Sequence, residues 1–174
     1  MKKDLIKIRP MNLSDAKAFY EIISKGKFKY FPTVKSLAEE KKIIKQILKK
    51  KKLKQEYAYS IIYNDNGNSI IVGGIGIKIN PHTTFIGEVG YFIDKNYWNK
   101  GIATLAVKLI EKEAFLKHGI KRIEIRMNPK NISSEKVAIK AGYIKEAYLK
   151  KAAQINSSKL NDVLLYVKFV RGSK

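Results

Sequence analysis

The stretch Glu88-Val89-Gly90-Tyr91-Phe92-Ile93-Asp94-Lys95-Asn96-Tyr97-Trp98-Asn99-Lys100-Gly101-Ile102-Ala103-Thr104 decides the fold. A strand that begins at Phe85 runs to Asp94, and the polar and aromatic residues after it turn the chain toward Gly101. Beyond Gly101, Leu105, Leu109, Ile110 and Phe115 place a long apolar helix. A helix that opens there offers unpaired backbone N–H groups and a positive dipole end, which suit an anion and above all a phosphate. Gly101 lets the backbone approach such a ligand closely, Ala103 keeps the next wall small, and Lys100 adds charge. On its own, one glycine after a strand is a weak signal.

Upstream, Leu5, Ile6 and Ile8, ending at Arg9-Pro10, read as a first strand. Asn12 is a good N-cap with Asp15 in the first turn, and Ala16, Phe19, Ile22 and Ile23 repeat at helical spacing until Gly26. An aromatic segment follows, Phe28, Tyr30 and Phe31, able either to line a pocket or to plug the core. Ser36 and Glu39 form a capping-box pattern for a second helix that turns Leu37, Ile43, Ile44, Ile47 and Leu48 inward. That helix ends in Lys49 to Lys52 and Lys54, which read as a solvated cationic C-terminus or as a nucleic-acid contact. Tyr57 to Tyr63 is a strand, Asn64 to Asn68 a hairpin turn built on Asn66-Gly67, and Ser69 to Asn80 the return strand, loosened by Gly73, Gly74 and Gly76.

Downstream, the helix after Gly101 ends at His118-Gly119, and Ile120 to Met127 reads as a strand. Asn131 caps a short helix that stops at Gly142; Tyr143 to Lys151 and Leu160 to Val170 are two closing strands around the loop Asn156-Ser157-Ser158. The predicted order is β-α-α-β-β-β-α-β-α-β-β. An antiparallel meander that passes into a strand-helix-strand crossover makes an α/β chain with a mixed sheet and helices on both faces, in one domain over residues 1–174.

The bulk numbers narrow the class. The 174 residues carry 36 Lys plus Arg against 15 Asp plus Glu, a formal charge of +21. Such a surface attracts anions such as nucleic acid and polyphosphates, and it repels cations. Lysine richness throughout the chain equally reads as compositional bias. With no cysteine there is no disulfide framework, thiolate zinc site or cysteine nucleophile. No apolar run approaches a membrane span and no signal core follows the basic start, so a cytoplasmic protein with no membrane association is the simplest expectation. No His or Asp/Glu cluster has metal-ligand spacing, and no metal is expected.

In combination, Ile86-Gly87-Glu88-Val89-Gly90-Tyr91-Phe92-Ile93 and Tyr97 to Thr104 resemble the central motif of the GNAT superfamily of N-acetyltransferases. Asn131-Ile132-Ser133-Ser134 with Ala141-Gly142-Tyr143 resembles the same family's downstream helix, and Asn156 and Asp162-Val163 fit its closing hairpin. The branch is the RimJ/RimL-like one, the ribosomal-protein N-terminal acetyltransferases and their relatives. The resemblance covers nearly the whole chain and implies the GNAT-like acyl-CoA N-acyltransferase fold.

It also implies roles. Acetyl-CoA would be the cosubstrate, with its diphosphate on the amides of Asn99, Lys100, Gly101, Ile102, Ala103 and Thr104. Its pantetheine arm would pair with a splayed strand at Tyr91, Phe92 and Ile93, where an amide also polarises the acetyl carbonyl. Asn131 would bond the same arm, and Ser134 would donate a proton or hydrogen bond to the departing thiolate; both also fit plain helix capping. Trp98 stands where many members have Arg or Gln, and Ala138 where other branches carry a Tyr acid. Acetyl transfer needs a neutral amine. A free α-amine, with a pKa near ~8 against ~10.4 for lysine, needs only a weak base acting through water. Glu88 is the candidate base and equally a surface carboxylate or ion-pair partner. His82 and His118 read as punctuation of a turn and a helix end.

The acceptor is less legible than the donor. A chain at +21 repels free polyamines and aminoglycosides, and the only adjacent acidic pair in the early helices, Glu39-Glu40, is followed at once by lysines. Protein N-terminal α-amines, including those of ribosomal proteins held on RNA, fit the surface better. The alternatives are a small-molecule amine acceptor, or a nucleic-acid- or ribosome-binding protein that keeps the fold without the activity.

Overall fold

The computed structural model describes residues 5–26, 28–65, 67–154 and 160–170. Asn66 of the expected hairpin turn and the expected loop Asn156 to Ser158 lie outside them. The described strands are β1 (Ile6–Pro10), β2 (Glu56–Asp65), β3 (Asn68–Asn80), β4 (Thr83–Ile93), β5 (Arg122–Met127), β6 (Ile144–Gln154) and β7 (Leu160–Phe169). The helices are α1 (Ala16–Gly26), α2 (Leu37–Lys52), α3 (Ile102–Lys117) and α4 (Ile132–Ala141). Their order along the chain is the expected one. β3 continues unbroken through its three glycines.

One mixed sheet runs β1-β2-β3-β4-β5-β7-β6. The first four strands are an antiparallel meander, β4 and β5 are parallel, and β7 lies antiparallel between β5 and β6. Strand alternation sends Tyr59, Ile61, Ile75, Ile77, Val89 and Ile93 to one face, where they pack on Ile102, Ala106, Val107, Ile110 and Ala114 of α3. Ala58 and the Phe92 ring go to the other face, against Phe19 and Ile23 of α1 and Ile44 of α2. The helices therefore cover both faces.

Two polar devices fix the first third of the chain. Asn12 and Asp15 form a reciprocal capping box, with the Asn12 N–H donating to Asp15 Oδ2 at 3.0 Å. Asp15 also accepts both Arg9 guanidinium nitrogens, at 2.8 and 2.6 Å, and the Ser60 hydroxyl at 2.6 Å. Burial pushes the Asp15 carboxyl up, but these bonds outweigh it and leave the pKa below its ordinary value. At α2 the expected box is only half made. Ser36 Oγ accepts from Glu39 N–H at 3.1 Å, while the Glu39 carboxylate reaches one residue further back, to Lys35 N–H at 2.7 Å.

The feature that positions a site is where β4 and β5 part. They pair only from Ile86–Arg122 to Glu88–Glu124. Beyond that, β4 stays on β3 as far as Ile93, while β5 follows β7 as far as Met127. From Val89 onward, the edge of β4 facing β5 carries no strand.

Candidate active site

The open edge of β4, the start of α3, the start of α4 and the aromatic segment at 28–31 enclose a groove of about 690 Å³. Its floor is the expected turn. Asn99 and Gly101 are both left-handed, at φ 59° and 70°, so successive backbone N–H groups converge as in an anion-binding nest. Gly101 caps α3 without a side-chain bond. Asn12 caps the short turn that leads into α1, and Ser36 and Asn131 cap α2 and α4, each with its side chain. The first amides of α3 thus lack the side-chain cap that the others have, and they face the groove. A Cβ placed on Gly101 would meet nothing within 4 Å, so the space above the turn is open.

The direction of the β4 edge follows from two bonds. Lys121 N–H donates to Phe85 C=O at 2.8 Å, and Trp98 Nε1–H donates to Ile93 C=O at 2.7 Å. Odd-numbered residues of β4 therefore turn their backbone groups toward the gap, which assigns the open edge to Val89, Tyr91 and Ile93. Phe92 does the opposite. Its carbonyl lies against Gly73 of β3, where an added Cβ would come within 2.2 Å, and its ring sits on the α1 face. Of the three residues expected to pair there, Tyr91 and Ile93 carry backbone groups toward the gap and Phe92 offers its ring.

The far wall is the start of α4. Asn131 Oδ1 accepts from Ser134 N–H at 3.2 Å and from Ser133 Oγ–H at 2.9 Å. Ser134 Oγ lies 2.8 Å from the Tyr91 hydroxyl. Burial pushes that phenol up to about 12, against a smaller opposing pull from Ser134. The family resemblance gives Tyr91 a role only through its backbone, and nothing in the spacing of residues 91 and 134 shows that their side chains meet.

The aromatic segment both packs and lines. Phe31 stands 4.8 Å from the Phe92 ring, and Phe28 stands 6.2 Å from both Phe92 and Trp98. Gly26 makes this possible, because a Cβ there would fall 2.3 Å from the Phe28 ring. Lys29, Lys130, Lys136 and Lys140 also line the groove. The last two share one face of α4 at i and i+4, a spacing legible in the sequence.

Two expected residues are not brought into the groove wall. The Lys100 ammonium lies 4.8 Å over the Tyr97 ring and 5.9 Å from that of Tyr63. Glu88 is exposed on β4, opposite Lys78 and Glu124, and does not line the groove. Ala138 is fully buried in the core. His118 stacks on Tyr57 with ring centroids 3.6 Å apart, and burial holds its pKa below the ordinary value.

Comparison with known proteins agrees with this geometry. The family model "Acetyltransferase (GNAT) domain" matches residues 6–144. The chain is 29% identical over 164 residues to the probable N-acetyltransferase YjcK of Bacillus subtilis (strain 168), covering 90% of each chain. Two solved structures share its fold. RimL, a ribosomal L7/L12 alpha-N-protein acetyltransferase in complex with coenzyme A, superposes with a TM-score of 0.84 at 18% identity, over 95% of this chain and 94% of that one. The microcin C7 self-immunity acetyltransferase MccE, in complex with acetyl-CoA and AMP, gives 0.85 at 24%, over 96% and 93%. With the family model spanning most of its length and the same fold built from the same elements, the chain belongs to the GNAT family of N-acetyltransferases.

Proposed function

We propose that the groove binds acetyl-CoA and that the protein transfers the acetyl group to the α-amine of a protein N-terminus. The observation that carries the first half is the α3 start, without a side-chain cap and left-handed at Asn99 and Gly101, facing the open β4 edge across one groove. A diphosphate suits the converging amides of residues 99–104, and an extended arm with amides suits the open edge at Tyr91 and the Ile93 N–H, the Ile93 C=O being held by the Trp98 indole. Asn131 and the lysines of α4 flank the same path.

In this reading the amine nitrogen attacks the acetyl carbonyl, and a backbone N–H of the β4 edge receives the developing oxyanion. Ser134 donates to the departing sulfur. Glu88 lies on the Phe92 side of β4, roughly 10 Å along the strand from Tyr91 by strand rise, so it takes the amine proton only through water. An α-amine tolerates such a remote base because much of it is already neutral near pH 8.

The acceptor reading rests on charge. At +21 the surface opposes cationic acceptors, and the two acidic residues beginning α2 make no pocket for them: Glu39 is bonded to Lys35 N–H and Glu40 is buried. The outward side of α2 carries Lys41, Lys42, Lys45 and Lys49 through Lys52, a surface suited to a ribosomal protein still held on RNA. The aromatic group Phe28, Phe31 and Phe92 favours a second reading, a small amine bearing a flat ring.

Turnover of acetyl-CoA against peptides, polyamines and small aromatic amines, followed as free thiol, separates these readings; the protein contributes no thiol of its own. Turnover with N-terminal peptides and none with spermine is expected, and the reverse result overturns the acceptor assignment. Gly101→Glu is expected to weaken acetyl-CoA binding by about tenfold or more. Unchanged binding overturns the groove assignment itself.

A further inference from the structure

We propose that Tyr91 is a positioning residue for Ser134: its hydroxyl holds Ser134 Oγ so that the serine proton points at the sulfur of the bound thioester. The inference rests on the acetyl-CoA reading of the groove and on the part given there to Ser134.

Three observations carry it. The two hydroxyl oxygens are 2.8 Å apart, while the Ser134 carbonyl, the other acceptor near Tyr91, is at 3.5 Å, the limit of a bond. Ser134 is the third residue of α4. A serine in a helix can turn its O–H back to a carbonyl three or four residues earlier, but among the described residues Ser134 Oγ makes no such bond. Its hydroxyl is therefore not drawn along its own helix, and the Tyr91 side chain meets it from β4. Finally, both residues line the groove where β4 has left β5, so the second hydrogen of the pair faces the ligand path.

The direction of the bond follows from acidity. In transfer, the C–N bond forms and the C–S bond breaks, with the sulfur leaving with the electron pair; the proton shed by the nitrogen completes the thiol. Burial keeps the Tyr91 phenol protonated, at about 12, whereas a free thiol ionises near ~8.5. Tyr91 is thus no net proton source for the sulfur. It donates to Ser134 Oγ and leaves the serine O–H to donate to the sulfur, which lowers the pKa of a bound thiol.

Because the protein has no cysteine, the thiol of bound coenzyme A is the only one in the binary complex. Its alkylation by iodoacetamide, with protein in excess and pH varied, reads the thiolate fraction without any acceptor. The midpoint is expected to rise by about one pH unit in Ser134→Ala, to rise in Tyr91→Phe, and to rise no further in the double variant than in Ser134→Ala. Ser134→Thr keeps the wild-type midpoint. If Tyr91→Phe titrates like wild type while Ser134→Ala shifts, or if the two shifts add, positioning by Tyr91 is overturned and Ser134 stands. If Ser134→Ala titrates like wild type, the role of Ser134 falls first. Coenzyme A titrations of each variant, read by the emission of Trp98, confirm that a fold and a groove remain.

Discussion

Asp15 shows what a single residue holds in this protein. It joins β1, the turn into α1 and β2 by accepting from Arg9, Asn12 and Ser60, with its side chain almost fully buried. Asp15→Ala leaves the Arg9 guanidinium and the Ser60 hydroxyl without their acceptor and is expected to cost about 3 kcal/mol in urea unfolding at neutral pH. The sign with pH is fixed by the lowered pKa. Above the ordinary value near ~3.9 the carboxylate stabilises the native state in full, and that contribution is lost as pH falls through the lower native value. The gap between wild type and variant should therefore close only on strong acidification. At the same scale, Asn12 was legible as an N-cap with Asp15 in the first turn, but the Arg9 and Ser60 bonds were not, because both partners arrive through the sheet.

Among the elements, α2 carries the contradiction between pattern and packing. Its apolar stripe was readable, and Ile44 is fully buried as the spacing requires. Glu40 lies on the same inward side, buried, with Oε2 lacking a hydrogen-bond partner. Burial, and then the neighbouring Glu39, raise its pKa. A carboxyl whose native pKa is raised stabilises the fold while protonated, and this is lost as pH climbs from the ordinary value near ~4.3 through the native one. Glu40→Gln is expected to be more stable than wild type by about 1 kcal/mol at pH 7 and level with it near pH 4, measured by urea unfolding at each pH. An equal difference at both pH values would mean that packing, not charge, sets the effect. The strand–turn–helix element from Phe85 to Lys117 behaves oppositely: pattern and packing agree, and residues of the turn line the groove.

Across the whole molecule, the charge of +21 sets the conditions under which the groove works. Trp98 is the chain's only tryptophan and lines the groove, with its indole N–H on Ile93 C=O. Its emission is expected to change on addition of coenzyme A and so to report the affinity directly. That affinity should fall on the order of tenfold between about 0.03 M and about 0.3 M salt, because lysines line the path and distant charge is screened over a Debye length. Dephospho-coenzyme A should show a shallower dependence. A flat salt response would mean that the lysines at 130, 136 and 140 do not meet the ligand's phosphates.

The sequence by itself determined the order of the elements, the glycine turn at the head of α3 and the family, because these depend on local periodicity and on backbone preferences that neighbours along the chain impose. Only the tertiary structure decided which groups face the groove. That Phe92 turns its backbone to β3, that Lys100 rests on Tyr97 and that Tyr91 meets Ser134 all follow from strand register and from the parting of β4 and β5. These are relations between segments far apart in the chain, which no local pattern records.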